Sequence, residues 1–587
     1  MVIDMNIFSV IKLIGGLAFF LYGMHVMSTG LERMAGGKLE QTIKKMTSSK
    51  FKSIVLGIGI TIAIQSSSAV TVMLVGLVNS GIMKIGQTIG IIMGSNIGTT
   101  LTAWILSLVG IQSDNVWMNL LKPENFSLLF AFVGVLLIMV AKEAKKKDIG
   151  SILIGFAVLM FGMNLMSNAV SPLADMPEFA SLLTAFENPI LGVAVGAIFT
   201  GIIQSSAASI GILQALALTG SITYGMAIPI IMGQNIGTCV TALISSINVN
   251  KNAKKVAVIH ISFNFIGTVI CLILYYGIDS IVHFPFTDQP INAVGIAAAH
   301  SIFNIATTGM LLPFTDMLEK IARFVLREGK DAEEKTEEVL LDDRLLAMPS
   351  VAVSECYNAS INMAVLAENT LLSAIKITEQ YDEKMMLQIL EDENSIDNYE
   401  DRIGTYLVKI SAKALSDADT KKSSKILHAI GDFERLGDHA VNIAKTAQEL
   451  NKKELAFSEE AVRELGVLAS ALREILGIAS AAYRNNDIQL ATRVEPLEQV
   501  IDGLIAAIKA RHIERLQAGV CTIEMGFILS DILNNYGRVS DHCSNIAVAV
   551  IEVAQNSFDT HQYLNAVKYG NSEFDNVFDS FRAKYHV

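Results

Sequence analysis

The chain has 587 residues, of which 51% are hydrophobic and 17% charged, and its net charge is −12. A soluble domain usually has about 100–200 residues, so the length excludes one compact soluble core. The apolar composition excludes a disordered or nucleic-acid-coating chain. Charge is unevenly distributed: residues 1–330 hold 20 basic and 15 acidic residues, and the remainder holds 25 and 42. The first half is typical of a membrane domain and the second of an acidic soluble one.

Nine stretches of the first half are apolar enough to be membrane spans, which need about 20 such residues. No comparable stretch is expected after residue 330. The candidates lie near residues 7–30, 53–79, 85–110, 127–141, 149–170, 190–219, 222–247, 255–277 and 291–314.

The first half contains an internal repeat. Residues 65–69 read QSSSA and residues 204–208 read QSSAA, while GSNIGTT at 94–100 returns as GQNIGTC at 233–239. Both pairs are separated by 139 positions, as are Gly23 and Gly162. One constant offset indicates a duplicated unit, with repeats at about 7–147 and 148–280 and an extra helix at 291–314.

Basic residues predict which side of the membrane each loop faces. Lysines and arginines cluster at 33–52, 142–147, 251–255 and 320–327, whereas 171–189 and 278–290 carry acidic residues and no lysine or arginine. If the basic loops are cytoplasmic, segments 53–79 and 190–219 enter and leave on the same side as re-entrant hairpins. Each repeat then has three crossings and a hairpin, so the second copy is inverted. The predicted fold is all-α, with two inverted repeats, broken helices and a soluble helical bundle.

The polar motifs lie in otherwise apolar stretches, and no charged residue occurs from Ile54 to Met83. Polar backbone at membrane depth is tolerated where it lines a cavity or is buried in protein. A broken helix offers N–H groups to an anion and oxygen atoms to a small cation. Glycines 94, 98, 233 and 237 are expected to let the backbone open and approach closely. The alternative is that small residues merely allow close helix packing, but recurrence at one spacing favours a binding site.

These paired motifs resemble those of the type II sodium–phosphate cotransporter family over roughly residues 1–320. The resemblance implies sodium-coupled transport of inorganic phosphate. It also implies site residues at the matching positions. The family commonly has three consecutive serines in each motif, and the second motif of this chain has Ala207 in place of the third. The implied phosphate ligands are Ser66, Ser67, Ser68, Ser205 and Ser206. The implied sodium ligands are Gln65, Asn96, Thr99, Thr100, Gln204, Asn235 and Thr238.

Proton coupling is the nearest rival mechanism, and it normally needs an intramembrane carboxylate or histidine. The motif segments contain neither. His260 and Asn264, and likewise His300 and Asn304, share a helix face at four-residue spacing. A structural interhelical hydrogen-bond role is favoured for these histidines over a proton relay.

The second half reads as long amphipathic helices with a duplication of its own. RLGDHAVNIA at 435–444 returns as RVSDHCSNIA at 538–547, which predicts two three-helix units near 351–450 and 456–556. This region resembles the PhoU family, which implies a regulatory role and allows iron or zinc on acidic helices. A solvated acidic face is the alternative. The candidate metal ligands are Glu393, Asp397, Glu434, Asp438, Glu498, Asp502 and Asp541.

The resulting hypothesis is a sodium-coupled phosphate symporter, not an enzyme, regulated by a fused PhoU-like domain. It lies in the cytoplasmic membrane with its C-terminal domain in the cytoplasm. Phosphate, sodium and the lipid bilayer are its partners, with no nucleic acid, and a homo-oligomer stays open. The alternatives are a membrane phosphate sensor, or an exporter of phosphate or a similar oxyanion. The domains are a membrane domain (1–320), a linker (321–349), a helical domain (350–556) and a C-terminal tail (557–587).

Overall fold

The computed structural model describes residues 7–35, 49–80, 83–108, 123–171, 187–247, 249–326, 341–555 and 572–587. The basic residues at 36–48, most of the acidic loop at 171–189, the middle of the predicted linker and the start of the predicted tail lie outside these ranges. The regular secondary structure of the described residues is helical, apart from one isolated bridge between Thr223 and Pro290. They divide into two compact units. The first unit holds the helices up to Val325 with Asp342–Val351 and Ala414–Asp417, and the second holds the remaining described residues.

The first unit contributes thirteen described α-helices and two described 3₁₀ helices, at Leu312–Phe314 and Asp343–Ala347. The α-helices are α1 (Ile7–Ala35), α2 (Lys50–Ile64), α3 (Ser67–Asn79), α4 (Ile85–Ser107), α5 (Pro123–Val140), α6 (Ala144–Val170), α7 (Pro189–Ile203), α8 (Ser206–Ala217), α9 (Tyr224–Gly237), α10 (Cys239–Ser245), α11 (Lys251–Val282), α12 (Ala293–Leu311) and α13 (Thr315–Val325).

The second unit is built from long helices, as its amphipathic pattern predicts. Two sets of three long helices follow each other along the chain, which agrees with the predicted three-helix units. The helices are α14 (Pro349–Glu379), α15 (Glu383–Ser411), α16 (Asp417–Lys452), α17 (Glu459–Asn485), α18 (Ile488–Ala491), α19 (Val494–Gln517), α20 (Ile523–Gln555) and α21 (Ser572–Lys584).

Seven helices among the described residues are long and apolar enough to cross a membrane. Six lie in the first unit. The seventh, Glu459–Asn485, lies in the second unit, so the expectation that no such stretch follows residue 330 was wrong. That helix buries Leu472 and Ile475 completely within its own unit, and its Glu464 forms a two-pronged ion pair with Arg515 at 2.9 and 2.8 Å. These contacts are those of a bundle helix.

The first repeat folds back on itself at its serine motif. Lys50 lies beside Gly90, near the start of α4. Further along, Thr61 lies beside Gly98, so α2 runs in the same direction as α4. Five residues separate the end of α3 at Asn79 from the start of α4 at Ile85. The α2–α3 pair therefore enters and leaves at the same end of α4, which is the course of a hairpin.

The second repeat has the same course. Gly192 lies beside Pro229 near the start of α9, and Thr200 lies beside Gly237 at its end. Helix α8 ends shortly before α9 begins. The α7–α8 pair is thus a second hairpin that turns at the second serine motif.

Helices α1 and α6, the first helices of the two repeats, pack antiparallel through glycines. A Cβ added to Gly16 would lie 2.9 Å from the carbonyl oxygen of Gly162, and one added to Gly23 would lie 2.6 Å from that of Gly155. Gly155 and Gly162 are the counterparts of Gly16 and Gly23 at the 139-residue offset. The contact therefore maps onto itself when the repeats are exchanged, as at a twofold axis.

Two predicted boundaries differ from the structure. Helix α13 continues to Val325 without a break at 320, and residues 342–349 of the predicted linker pack into the first unit. The predicted tail contains α21, whose Phe581 is buried and whose Lys584 pairs with Glu474 at 2.8 Å. Apolar residues at helical spacing in 574–581 explain why this segment packs rather than staying in solvent.

We expect Gly94→Ala and Gly233→Ala to destabilise the first unit. An added Cβ would collide with the carbonyl oxygen of Ile54 or Val193, respectively, and overpacking costs about 1–3 kcal/mol. The control is Gly59→Ala in α2, where an added Cβ meets no atom within 4 Å and helix propensity favours alanine by about 1 kcal/mol. Thermal unfolding in detergent measures the difference. Equal midpoints for Gly94→Ala and Gly59→Ala would contradict the packing described.

Candidate functional site

Each hairpin turns at a glutamine in the left-handed backbone conformation. Gln65 has φ 57° and ψ 24°, and Gln204 has φ 57° and ψ 23°. A residue with a side chain is uncommon there, and holding it costs on the order of 1–3 kcal/mol unless the surroundings fix it. The same unusual angles at both motifs show that the duplicated sequence adopts one local fold twice.

The serine after each glutamine caps the next helix. The backbone N–H of Ala69 donates to Ser66 Oγ at 3.1 Å, and that of Ala208 donates to Ser205 Oγ at 3.2 Å. The first N–H groups of a helix have no acceptor within the helix. In α3 and α8 the cap satisfies the third of these groups, so the first two remain to bind an anion, with the helix dipole in support.

The predicted phosphate ligands lie at three successive positions of the motifs. Ser66 and Ser205 use Oγ as a cap acceptor, so each can offer a ligand its hydroxyl hydrogen. Ser67 and Ser206 hold the first helical position of α3 and α8 and are buried. Ser68 is half-buried on the following position, where the second repeat has Ala207.

The two glutamines differ in their surroundings. Gln65 is buried, its Nε2 donates to the carbonyl of Ile62 at 2.7 Å, and its Oε1 accepts from Thr102 Oγ1 at 2.9 Å. Gln204 is exposed. The backbone break is symmetric between the repeats, but access to it is not.

The predicted threonine ligands bond to their own helices. Thr99 Oγ1 donates to the carbonyl of Ser95 at 3.0 Å, and Thr100 Oγ1 donates to that of Ile97 at 2.7 Å. In the second repeat Thr238 Oγ1 donates to the carbonyl of Asn235 at 2.6 Å. Each hydroxyl oxygen keeps its lone pairs, which is the part of the group that a cation binds.

Asn264 joins the two repeats at the second pair of motifs. Its Oδ1 accepts from Asn96 Nδ2 of the first repeat at 2.8 Å, and its Nδ2 lies 3.3 Å from Cys239 Sγ of the second. All three side chains are buried. The GSNIGT segment and its copy are therefore brought together at one residue of α11.

Asn304 is the corresponding residue of α12. Its Oδ1 accepts from Asn235 Nδ2 at 3.5 Å, and its Nδ2 donates to the carbonyl of His300 at 2.9 Å. The sequence indicated His–Asn pairs at four-residue spacing but assigned the interhelical hydrogen bonds to the histidines. Within the described residues the asparagines make these bonds, while Nδ1 of His260 and of His300 is buried without a partner. A short amide can bridge two tightly packed helices where a bulkier ring cannot.

The glycines of the second motif pair do not open both helices as expected. Helix α4 continues through Gly94 and Gly98 to Ser107, and its glycines admit the backbone of α2. In the second repeat α9 ends at Gly237 and α10 begins at Cys239. Close approach is thus the common role of these glycines, and a helix break is present in one copy.

The duplicated motifs of the second unit also meet each other. The rings of His439 and His542 lie 5.5 Å apart. His439 Nδ1 lies 2.9 Å from Asn535 Oδ1, and His542 Nδ1 lies 2.8 Å from Asp432 Oδ1. Asn535 is the counterpart of Asp432 at the 103-residue offset. The two histidines therefore lie at a contact between the three-helix units.

The predicted metal ligands do not form a ligand set. Burial, then Asp397 and Asp438, raise the pKa of Glu393, and burial followed by Asp438 raises that of Glu434, so the carboxylates of the first three-helix unit lie near one another. Asp438 pairs with Arg435 at 2.9 Å. In the described part of the chain no three His, Cys, Asp or Glu side chains gather as a metal ion requires. Iron or zinc binding here, and at Glu498, Asp502 and Asp541, stays a prediction.

A buried lysine in the second unit gave no signal in the sequence. Lys425 Nζ donates to the Tyr357 hydroxyl at 3.0 Å and to Asn486 Oδ1 at 2.9 Å. It also lies over the rings of Tyr357 and Tyr483, at 4.4 and 4.6 Å from their centroids. Burial, together with the nearby Lys422, lowers the pKa of Lys425 to about 7.

Two domain families match the chain. Residues 19–168 and 158–278 match the Na+/Pi-cotransporter family, and residues 361–447 and 465–550 match the PhoU domain. The chain carries a Na+/Pi-cotransporter family domain followed by PhoU domains. It is thus a multi-pass membrane protein of a transporter family, and neither matching family is an enzyme family.

Two curated proteins and one solved structure are similar to parts or most of this chain. The "Putative inorganic phosphate export protein YjbB" of Escherichia coli (strain K12) is 22% identical over 93% of this chain and 98% of its own length. The "Uncharacterized protein YqeW" of Bacillus subtilis (strain 168) is 29% identical over 52% of this chain and 95% of its own length. The crystal structure of PhoU from Pseudomonas aeruginosa aligns with 35% of this chain and 97% of that chain, at 21% identity and a TM-score of 0.33.

We expect the stability of the second unit to rise between pH 7 and pH 10 because of Lys425. Below pH 7 the amine is charged in both the folded and the unfolded state, so the full cost of its burial applies. Between the folded pKa of about 7 and the ordinary value of 10.5 only the unfolded state is protonated, and the cost falls as pH rises.

Lys425→Met removes this titration, so the wild type should gain about 2 kcal/mol relative to the variant between pH 7 and 9. Amide exchange in α16 of the full-length protein, measured at each pH, reports the difference. Lys452→Met is the control, since Lys452 is an exposed lysine of the same helix. Parallel pH profiles for Lys425→Met and wild type would contradict the burial cost.

Proposed function

We propose that this protein moves inorganic phosphate across the cytoplasmic membrane together with sodium, at a site formed by the two serine motifs. The observation that carries the proposal is the pair of matching helix breaks at Gln65 and Gln204. At each break, two consecutive polar residues, a glutamine and the capping serine, come directly before the start of a helix. Membership of a Na+/Pi-cotransporter family and the substrate in the relatives' printed name support phosphate as the cargo.

The phosphate would lie at the beginnings of α3 and α8. Ser67, Ser68 and Ser206 would donate their hydroxyls, with Ser66 and Ser205 adding hydrogens from the capping position. No lysine or arginine occurs in either serine motif. The anion's charge must therefore be balanced by helix dipoles and by a cation bound with it.

Sodium would supply that balance. It prefers oxygen ligands, which the neighbouring motif residues provide as amide and hydroxyl oxygens. Without sodium the anion would be poorly stabilised, so binding of the two ions is coupled. The proposed sodium ligands are Gln65, Asn96, Thr99, Thr100, Gln204, Asn235 and Thr238.

The two repeats would be inverted in the membrane, with re-entrant hairpins at their interface. The antiparallel, self-matching contact between α1 and α6 supports inversion, because an axis that relates antiparallel spans lies in the membrane plane. The course of both hairpins supports re-entry. The proposed domains keep the predicted order, with residues 342–349 now assigned to the membrane domain and the PhoU-like region in the cytoplasm.

Export is the direction that the relatives favour. The relatives that span nearly the whole chain bear a name that specifies phosphate export, which supports the exporter alternative over uptake. The binding chemistry itself is indifferent to direction, since gradients of sodium and phosphate decide the net flux. A phosphate load in the cytoplasm would then leave through the same site, with the PhoU-like domain regulating its release.

Ser67→Ala and Ser206→Ala should each lower sodium-dependent phosphate flux at least tenfold. Each change removes a hydroxyl at the first position of a site helix without altering the helix cap. Radiolabelled phosphate is loaded into proteoliposomes, and its efflux is followed with Na⁺ or K⁺ present on both sides.

Ser280→Ala is the control, because its hydroxyl is exposed and bonds only to the carbonyl of Gly277 in its own helix. Full flux in both motif variants would contradict the assignment of the phosphate site to the serine motifs. Binding of phosphate without any flux in the wild type would favour the sensor alternative. Equal transport of arsenate would widen the cargo to tetrahedral oxyanions.

A further inference from the structure

A short segment lies against the first unit immediately before helix α14. We call residues Asp342–Met348 the clip. Within it Asp342, Leu345 and Met348 are almost fully buried, at 4%, 0% and 2% exposure. This part of the predicted linker therefore packs against the first unit.

Arg344 attaches the clip to the second repeat. Its Nε donates to the carbonyl of Ser245 at 2.6 Å, and its Nη2 donates to that of Ile247 at 2.7 Å. Ser245 is the last residue of α10 and Ile247 lies just beyond it, and the negative end of a helix dipole favours a cation there. The Asp342 carboxylate forms an ion pair with the same guanidinium, with its Oδ2 3.0 Å from Arg344 Nη1.

Asp342 attaches the clip to the first repeat. Its Oδ2 accepts from Asn79 Nδ2 at 2.8 Å, at the last residue of α3. Asn79 Oδ1 in turn accepts from the backbone N–H of Asn250, which caps α11. One turn earlier, Gly76 leaves room for Leu345, since an added Cβ would lie 2.9 Å from Leu345 Cδ2. The contact thus combines a partly buried ion pair with a closely packed apolar side chain.

The clip therefore contacts the ends of two helices that begin at or next to a proposed ligand. Helix α3 starts at Ser67 of the first serine motif, and α10 starts at Cys239 of the second GxNIGT motif. Their far ends are the ones that the clip holds. Any change in the separation of these two helices has to stretch or break the bonds of Asp342 and Arg344.

The clip is followed directly by helix α14. Pro349 is the first residue of α14, and a proline restricts the residue before it to extended backbone. Met348 has φ −134° and ψ 86°, and its carbonyl accepts from the backbone N–H of Val351 at 2.9 Å. The clip is thus continuous in sequence with the helix that leads into the first PhoU match.

We propose that the clip is the regulatory contact of this transporter. It fastens α3 of the first repeat to α10 of the second, restrains their relative movement, and passes the state of the PhoU-like domain to the ion site. The proposal rests on the proposed transport function. Arg344 and Asp342 are positioning residues, since they act on the site through helices and touch no cargo.

Charge-neutralising variants test the restraint in the full-length protein. Arg344→Gln and Asp342→Asn should raise sodium-dependent phosphate flux in proteoliposomes at least fivefold. Asp343→Asn is the matched control, because it removes the same charge from the adjacent, exposed residue and should leave flux unchanged. Flux in Arg344→Gln and Asp342→Asn equal to that of Asp343→Asn overturns the proposal.

A reversible cross-link tests the same contact in the opposite direction. Asn79→Cys with Asp342→Cys is joined by a short, reducible bifunctional thiol reagent, in a background where Cys521 is serine. Flux should fall to background when the link forms and return when it is cleaved. A linked protein that transports at the unlinked rate overturns the proposal even if the neutralising variants fold poorly.

Hydrogen exchange separates failure of the clip from failure of the transport assignment. If no variant moves phosphate with sodium, the transport function is wrong, and the restraint is then judged by amide exchange at residues 76–80 and 245–247. Faster exchange there in Arg344→Gln than in Asp343→Asn supports the clip as a restraint. Equal exchange in the two variants overturns it.

Discussion

The first unit depends on a glutamine held in the left-handed backbone conformation at the turn of each hairpin. That conformation ends one helix and starts the next within two residues, which exposes fresh backbone N–H groups where no charged side chain is present. It persists because α2 and α7 are pressed against α4 and α9, with glycines at the points of contact. Gly94 and Gly233, which approach the backbone of α2 and α7, are thus as necessary to the site as the serines that they position.

Duplication explains both what is symmetric and what is not. The backbone break, the serine caps and the glycine contacts recur at one offset, because two copies of a sequence in similar packing fold alike. The surroundings diverge where the copies meet different partners. Gln65 is enclosed by Thr102 while Gln204 is exposed, and α4 is continuous where α9 and α10 are separate. The two repeats are therefore similar in backbone course but unequal in their surroundings.

Sequence reasoning succeeds where the signal is local and repeated. The serine motifs predicted both breaks, and the paired motifs at 435–444 and 538–547 predicted two three-helix units. It failed where the partner is remote: nothing near Asn96 identifies Asn264, 168 residues away, and nothing near Lys425 identifies the tyrosines that enclose it. Residues 342–349 looked like a linker because their polarity suits solvent as well as it suits the polar ends of α3 and α10.

The central claim is that both motifs face one bound phosphate and its sodium. Ala69→Cys and Ala207→Cys place one thiol in each motif without removing a proposed ligand. In a background with serine at Cys521, labelling of each thiol by a small maleimide is timed with phosphate, with sodium and with both. Phosphate and sodium together should slow labelling at both positions, while either ion alone should have little effect. Unchanged labelling at both positions, or protection at one motif only, would contradict it.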